Sequence, residues 1–234
     1  MSAPVVYAVV AAAGQGTRMG REGRKQFVQL LGRPVLAYSL RTLDACSEIR
    51  RIYLAVSPDD VDWVKGEWLH RYAPAKPVEV LAGGAERQDT VSNALKRLPR
   101  DCDAVIVHDG ARPLASVRLF ERCIAALEGW DGVIPVIPCR DTIKEVEGEM
   151  VTGTPERINL RQVQTPQVFR PAALLDAYNR AEQEGFSATD DAGVLERYGY
   201  KVRVVEGETA NIKITYREDL VMAEALLRMR GSSN

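Results

Sequence analysis

The residues best suited to chemistry in this 234-residue chain are cations set among glycines. The first group is Ala11-Ala12-Ala13-Gly14-Gln15-Gly16-Thr17-Arg18-Met19-Gly20, continuing to Arg24-Lys25-Gln26. Glycine permits positive φ and close backbone approach, so peptide N–H groups can converge on a phosphate chain. Arg18 adds a planar fork of donors and Lys25 a compact point charge. The stretch reads as a loop that wraps the triphosphate of a nucleotide. It departs from the dinucleotide fingerprint, because the third glycine of G-x-G-x-x-G is displaced by one position. It is not a Walker A loop either, since no Gly-Lys-Ser/Thr follows. Taken alone, the stretch also fits an ordinary Gly-rich turn with solvated cations.

Further cations, Arg112, Arg157 and Lys213, and one carboxylate, Asp109, complete the set. The chain has no G-x-S-x-G elbow and no His-rich cluster, with His70 and His108 its two histidines. Cations and backbone donors without a protein nucleophile describe phosphoryl or nucleotidyl transfer, where positioning and charge neutralisation supply most of the catalysis. Other readings stay open for single residues. Asp109 and Arg112 could be a structural ion pair, Lys213 an edge-strand gatekeeper, and Thr165 and Thr189 turn or cap residues. His108 reads as a packed residue rather than a base.

The elements that must position these residues follow from apolar periodicity. Runs at Val5–Ala12, Ile49–Val56, Val78–Leu81, Ala104–Val107 and Gly132–Pro138 read as buried strands, alternating with helical patterns. This predicts an α/β fold with a mostly parallel sheet and helices on both faces. Ligands of such sheets bind at the carboxyl ends of strands, so Gly14, Gly84 and Asp109 should converge on one crevice. Pro34 is expected to open a helix, Ser57-Pro58 to cap another, and Ser116 and Pro171 to start two more. Asn211–Thr215 reads as a short strand, and Thr215 with Glu218 as a capping-box pair for the last helix. Between them, residues 140–162 form a polar, hairpin-like excursion that either packs on a partner subunit or is a solvated flap.

Composition narrows the class. An apolar fraction of 46% supports one large domain, 1–234, and a net charge of −1 argues against nucleic-acid or membrane-surface binding. No apolar run has the length of a membrane span, and the four cysteines lack C-x-x-C spacing, so a cytoplasmic protein with core thiols is expected.

The motifs A-A-A-G-x-G-x-R-M with R-K-Q, G-G-x-E-R, H-D-G-A-R-P, R-D-T-I-K, T-P-Q, T-D-D-A and N-I-K-I-T run in order along nearly the whole chain. Together they resemble the 2-C-methyl-D-erythritol 4-phosphate cytidylyltransferase family of the non-mevalonate isoprenoid route. The resemblance implies a Rossmann-like nucleotide-diphospho-sugar transferase sheet with a protruding arm. It also implies transfer of CMP from CTP to methylerythritol phosphate, with Mg²⁺, by a homodimer whose arm, about 140–162, hooks around the second subunit. By the same resemblance, Arg18 and Lys25 stabilise the transition state, and Arg157 and Lys213 position the acceptor. The CTP-binding set is Ala12, Ala13, Gly14, Gly16, Arg18, Lys25, Gly83, Gly84, Ala85 and Thr90. Asp109, Arg112, Thr142, Arg157, Thr165, Thr189 and Lys213 match the sugar-phosphate site. No protein ligand of the metal is implied. Two residues depart from the pattern: Ala210 replaces the usual Asp before N-I-K, and Arg24 stands where Pro or Asn is common. Rival functions are another alditol-phosphate cytidylyltransferase, such as one using ribitol 5-phosphate, a silent nucleotide-binding protein, and a Rossmann dehydrogenase.

Overall fold

Apolar residues in the first strand face two separate cores, and this sets the architecture of the computed structural model, which describes residues 4–14, 16 and 24–231. In β1 (Val6–Ala12), Val6, Ala8, Val10 and Ala12 join one cluster while Tyr7 and Val9 join the other. A strand buried on both faces needs helices on both sides of its sheet.

Those elements follow in chain order. A small hairpin, β2 (Gln29–Leu30) and β3 (Arg33–Pro34), leads to α1 (Val35–Ala45) and β4 (Ile49–Val56). Next come α2 (Val61–Trp63) and α3 (Leu69–Tyr72), joined by a π-helical turn over Val64–Trp68. Then follow β5 (Val78–Ala82), α4 (Arg87–Leu95), β6 (Ala104–Asp109), α5 (Val117–Ala125) and β7 (Gly132–Pro138). The remainder is β8 (Glu145–Glu147), β9 (Met150–Gly153), β10 (Arg161–Val163), β11 (Gln167–Phe169), α6 (Pro171–Glu184), α7 (Asp191–Arg197), β12 (Val202–Glu206) and α8 (Arg217–Gly231).

The main sheet has the order β10-β7-β11-β6-β1-β4-β5, and β12 flanks β7 on the side opposite β11. Pairing is parallel for β1 with β4 and β6, β4 with β5, and β7 with β12. Only β10 and β11 run antiparallel to their neighbours in this sheet. The fold is thus the mostly parallel α/β arrangement expected. Leu36, Leu40, Val64, Trp68 and Phe120 cover one face, and Val91, Leu95, Leu174, Tyr178 and Leu195 the other. A third cluster, including Leu30, Val35, Leu114, Ile214 and Ala223, attaches α8. Cys46, Cys123 and Cys139 are buried thiols, and Cys102 is half-buried.

Several local expectations change. The excursion does contain a hairpin, β8 with β9, turning at Gly148 (φ +59). Residues 161–163 are not part of it, because they pair with β7 from Arg161↔Pro138 to Val163↔Val136. Asn211–Thr215 is not a strand: the Ile214 N–H donates to the Ala111 carbonyl at 2.8 Å, and the Asn211 carbonyl accepts from Arg112 at 2.9 Å. These loop contacts satisfy the backbone without a ladder. Pro34 is the residue before α1 rather than its first, and the Ser57 side chain caps nothing. Ser116 does cap α5, accepting from Leu119 N–H at 3.1 Å, and Pro171 does open α6. At α7 the cap is Asp190, which accepts from Gly193 N–H at 2.9 Å, not Thr189.

At α8 the expected Thr215–Glu218 box is replaced by Asp219, which accepts the N–H groups of Thr215 (2.7 Å) and Tyr216 (2.8 Å). Asp219→Ala should therefore lower stability by about 1 kcal/mol, whereas Glu218→Ala should leave it nearly unchanged. Chemical denaturation of the two variants checks this, and equal losses would contradict the assigned cap.

Candidate active site

The carboxyl ends of β1, β4, β5 and β6 open onto one cleft of about 840 Å³. Ala12, Ala13 and Gly14 line it after β1, Gly83, Gly84 and Ala85 after β5, and Asp109 at the end of β6. Lys25, Thr90 and Lys213 also line it. The convergence expected of Gly14, Gly84 and Asp109 is therefore present.

Close packing explains the glycines. A Cβ on Gly83 would lie 2.4 Å from the Ala13 Cβ, and one on Gly84 would lie 2.2 Å from the Asp89 Cβ. The Gly83 N–H donates to the Val56 carbonyl at 2.7 Å, and the Gly84 N–H donates to Thr90 Oγ1 at 3.0 Å. Thr90 in turn donates to the Glu86 carbonyl at 3.0 Å, so its hydroxyl shapes the loop from within. At the other side, Gly16 has φ +65, and a Cβ there would sit 3.1 Å from the Lys25 nitrogen. Buried Gln26 donates to the Ala12 carbonyl at 2.7 Å and so ties the turn carrying Lys25 to the end of β1. Arg18 lies outside the described residues.

A second cleft of about 300 Å³ adjoins the first, lined by Arg112, Gln164, Thr165, Gln167, Thr189 and Asp190. Asp109, Lys213 and Arg87 line both. Asp109 is the centre of this boundary. Its Oδ2 lies 2.8 Å from Lys213 Nζ and 3.5 Å from Arg112 Nε, and its Oδ1 lies 3.1 Å from Arg87 Nε. Burial alone would raise the carboxyl, but Arg87, Lys213 and Arg112 hold it well below the usual carboxylate range. Asp109 is therefore ionised at neutral pH.

Arg87, the last residue of G-G-A-E-R, carries no other signal of a role in the sequence. It bridges Asp109 and Asp191 (2.8 Å), and Asp191 also accepts from Tyr178 Oη at 2.6 Å. Burial works against its charge, yet the two carboxylates raise its pKa further. Asp191 follows Asp190 in T-D-D-A, so the second acidic residue of that motif serves the site through Arg87. Thr165 is buried. Its Oγ1 accepts from the Asp109 N–H at 3.0 Å and lies 3.0 Å from His108 Nδ1.

Arg157 and Thr142 are exposed on the excursion and line neither cleft, and Arg157 donates to the Arg140 carbonyl at 2.9 Å. Among the described residues, no group of three or more His, Cys, Asp or Glu side chains is arranged to hold a metal ion.

The family model of 2-C-methyl-D-erythritol 4-phosphate cytidylyltransferase matches residues 6–229. This chain belongs to that family. The enzyme of that name from Caldanaerobacter subterraneus subsp. tengcongensis is 39% identical over 224 residues, covering 95% of this chain and 99% of its own. Among solved structures, the 4-diphosphocytidyl-2C-methyl-D-erythritol synthase of Anaerococcus prevotii superposes with a TM-score of 0.85 at 34% identity, covering 97% of each chain. The cytidylyltransferase of Thermus thermophilus gives 0.77 at 34% identity, covering 94% of this chain and 98% of its own. The chain is thus a nucleotidyltransferase of cytidylyl type, and the dehydrogenase and silent-binder readings fall away.

The buried imidazole beside Asp109 generates a prediction. Burial lowers the His108 pKa to about 4, despite the opposing pull of Asp109. An unfolded chain takes up that proton near pH 6.5, so stability is fully present above about 6.5 and declines as pH falls towards 4. His108→Gln should flatten the pH dependence of unfolding across that window. Parallel slopes for the two proteins in denaturant titrations would contradict the assignment.

Proposed function

We propose that this chain transfers CMP from CTP to 2-C-methyl-D-erythritol 4-phosphate, giving 4-diphosphocytidyl-2-C-methyl-D-erythritol and diphosphate. Its relatives carry that name, and the observation that carries the reading is the pair of adjoining clefts that share Lys213, Asp109 and Arg87. The larger suits the nucleotide. The Gly83–Ala85 backbone would face the cytosine, and Gly14, Gly16 and Lys25 the triphosphate, a role the family resemblance also assigns to Arg18. The smaller suits the sugar phosphate, with Arg112, Thr165 and Thr189 on its walls.

The attacking oxygen belongs to a phosphate that is already ionised, so the reaction needs no general base. Its main barrier is the approach of one anion to another, and the cations lower it by holding both and by neutralising charge that develops at the α-phosphate. Magnesium fits this reading as an ion carried on the nucleotide's phosphates, which is how Mg²⁺ commonly binds. The Asp109 carboxylate is already engaged by three cations. Bound there, the ion would offset phosphate charge.

We also propose a homodimer formed through the arm, and a cytoplasmic setting, the compartment that keeps thiols such as these reduced. Ile143, Val146, Met150, Val151 and Ile158 are all exposed on the arm, an apolar set that a second subunit would cover. Arg157 and Thr142 would then reach the partner's acceptor cleft.

Diphosphate release should require CTP among the four nucleoside triphosphates, and methylerythritol phosphate rather than ribitol 5-phosphate. Equal turnover of ribitol 5-phosphate would overturn the acceptor assignment. Co-expressed Lys25→Ala and Arg157→Ala chains, each inactive alone, should recover roughly a quarter of wild-type activity, since about half of randomly paired dimers are mixed and each holds one intact site. Mixed dimers without activity would sink the trans assignment.

A further inference from the structure

We propose that Arg24 and the buried Asp60 form a clamp that positions Lys25 over the nucleotide cleft. This rests on the role given above to Lys25. Asp60 is fully buried at the end of the short turn Pro58–Asp60, whose neighbours Ser57, Pro58 and Asp59 line the larger cleft. Neither of its carboxylate oxygens has a hydrogen-bond donor among the described residues, but Arg24 Nη1 meets Oδ1 as an ion pair. A carboxylate out of water is costly unless a counter-charge accompanies it. Asp60 therefore recruits the guanidinium of a side chain that is otherwise half-exposed.

The consequence falls on the next residue. Arg24 has φ 78 and ψ 54, a left-handed conformation that a residue with a Cβ keeps only when its surroundings hold it. Its carbonyl accepts from the Phe27 N–H at 2.9 Å and so closes the turn Lys25–Phe27. Phe27 packs its ring 4.9 Å from Trp63 and 5.6 Å from Trp68, on the helical stretch that Asp60 precedes. Lys25 is thus fixed on both sides to one stretch of chain, by charge before it and by aromatic packing after it.

The test combines Arg24→Asn, Arg24→Lys, Asp60→Asn and the Arg24→Asn/Asp60→Asn double variant, with Arg24→Asn also made in Lys25→Ala. Asn tolerates the left-handed conformation, so Arg24→Asn removes the charge while sparing the backbone. We expect kcat to fall about tenfold, with KM for CTP nearly unchanged, because misplacing a catalytic group affects the chemical step. Arg24→Lys should restore part of the loss. In the Lys25→Ala background the same change should cost almost nothing more, because Arg24 acts through Lys25. Arg24→Asn should also melt below the double variant, since only the single change leaves a buried carboxylate unpaired.

An unchanged kcat in Arg24→Asn, an equal further loss in Lys25→Ala, or equal melting of the single and double variants would overturn the clamp. If Lys25→Ala itself keeps its kcat, the reading of Lys25 fails and this proposal with it. The melting order would still report whether the pair forms.

Discussion

A carboxylate buried at the end of a central strand is tolerable only when cations surround it, and at Asp109 three of them do. The need runs both ways. Arg87, Arg112 and Lys213 would repel one another if brought together without an anion between them. Asp109 lets them gather, oriented, on the wall shared by two clefts. Each cation comes from a different part of the chain: Arg87 from the start of α4, Arg112 from the loop after β6, and Lys213 from the segment before α8. One ionised side chain therefore links the walls of the two clefts.

The scaffold behind this charge cluster is built to keep it still. Asp191 at the start of α7 holds the far end of Arg87, and Tyr178 of α6 holds Asp191. The Arg112 guanidinium donates to the Asn211 carbonyl, while Asn211 Nδ2 donates to the Thr165 carbonyl at 2.9 Å. Thr165 then receives the Asp109 N–H, so the loop carrying Lys213 is bonded to the strand end that carries its counter-ion. In the same loop the Ala210 carbonyl accepts from the Ile212 N–H at 2.9 Å, and Lys213 reaches Asp109.

Much of this was legible in the residues. Strands buried on both faces show as uninterrupted apolar runs, and the polar groups that end them mark the crevice, as Gly14, Gly84 and Asp109 do. What escaped were pairings set by distant parts of the chain. Arg87 reads as one more helix-start arginine until Asp191, 104 residues away, is brought beside it. Cap choices escaped for the opposite reason. Adjacent candidates such as Thr189 and Asp190, or Glu218 and Asp219, differ by one position, and only the backbone direction selects between them. The Asn211–Thr215 segment has a strand's composition, but the Ala111 carbonyl and Arg112 claim its backbone groups. Thr142 and Arg157 show a further limit, since a single chain carries them on an arm away from its own clefts.

If Asp109 aligns the cations both clefts share, the kinetics of Asp109→Asn, measured alongside its affinity for CTP, will show it most directly. The substitution keeps the side chain's size and removes the charge. In Asp109→Asn, kcat should fall about 100-fold, the scale of a lost preorganised electrostatic contact, while the Kd for CTP by calorimetry stays within about threefold of wild type. A folded variant with kcat within about twofold of wild type would show that the cations reach their places without the carboxylate, and would contradict that alignment.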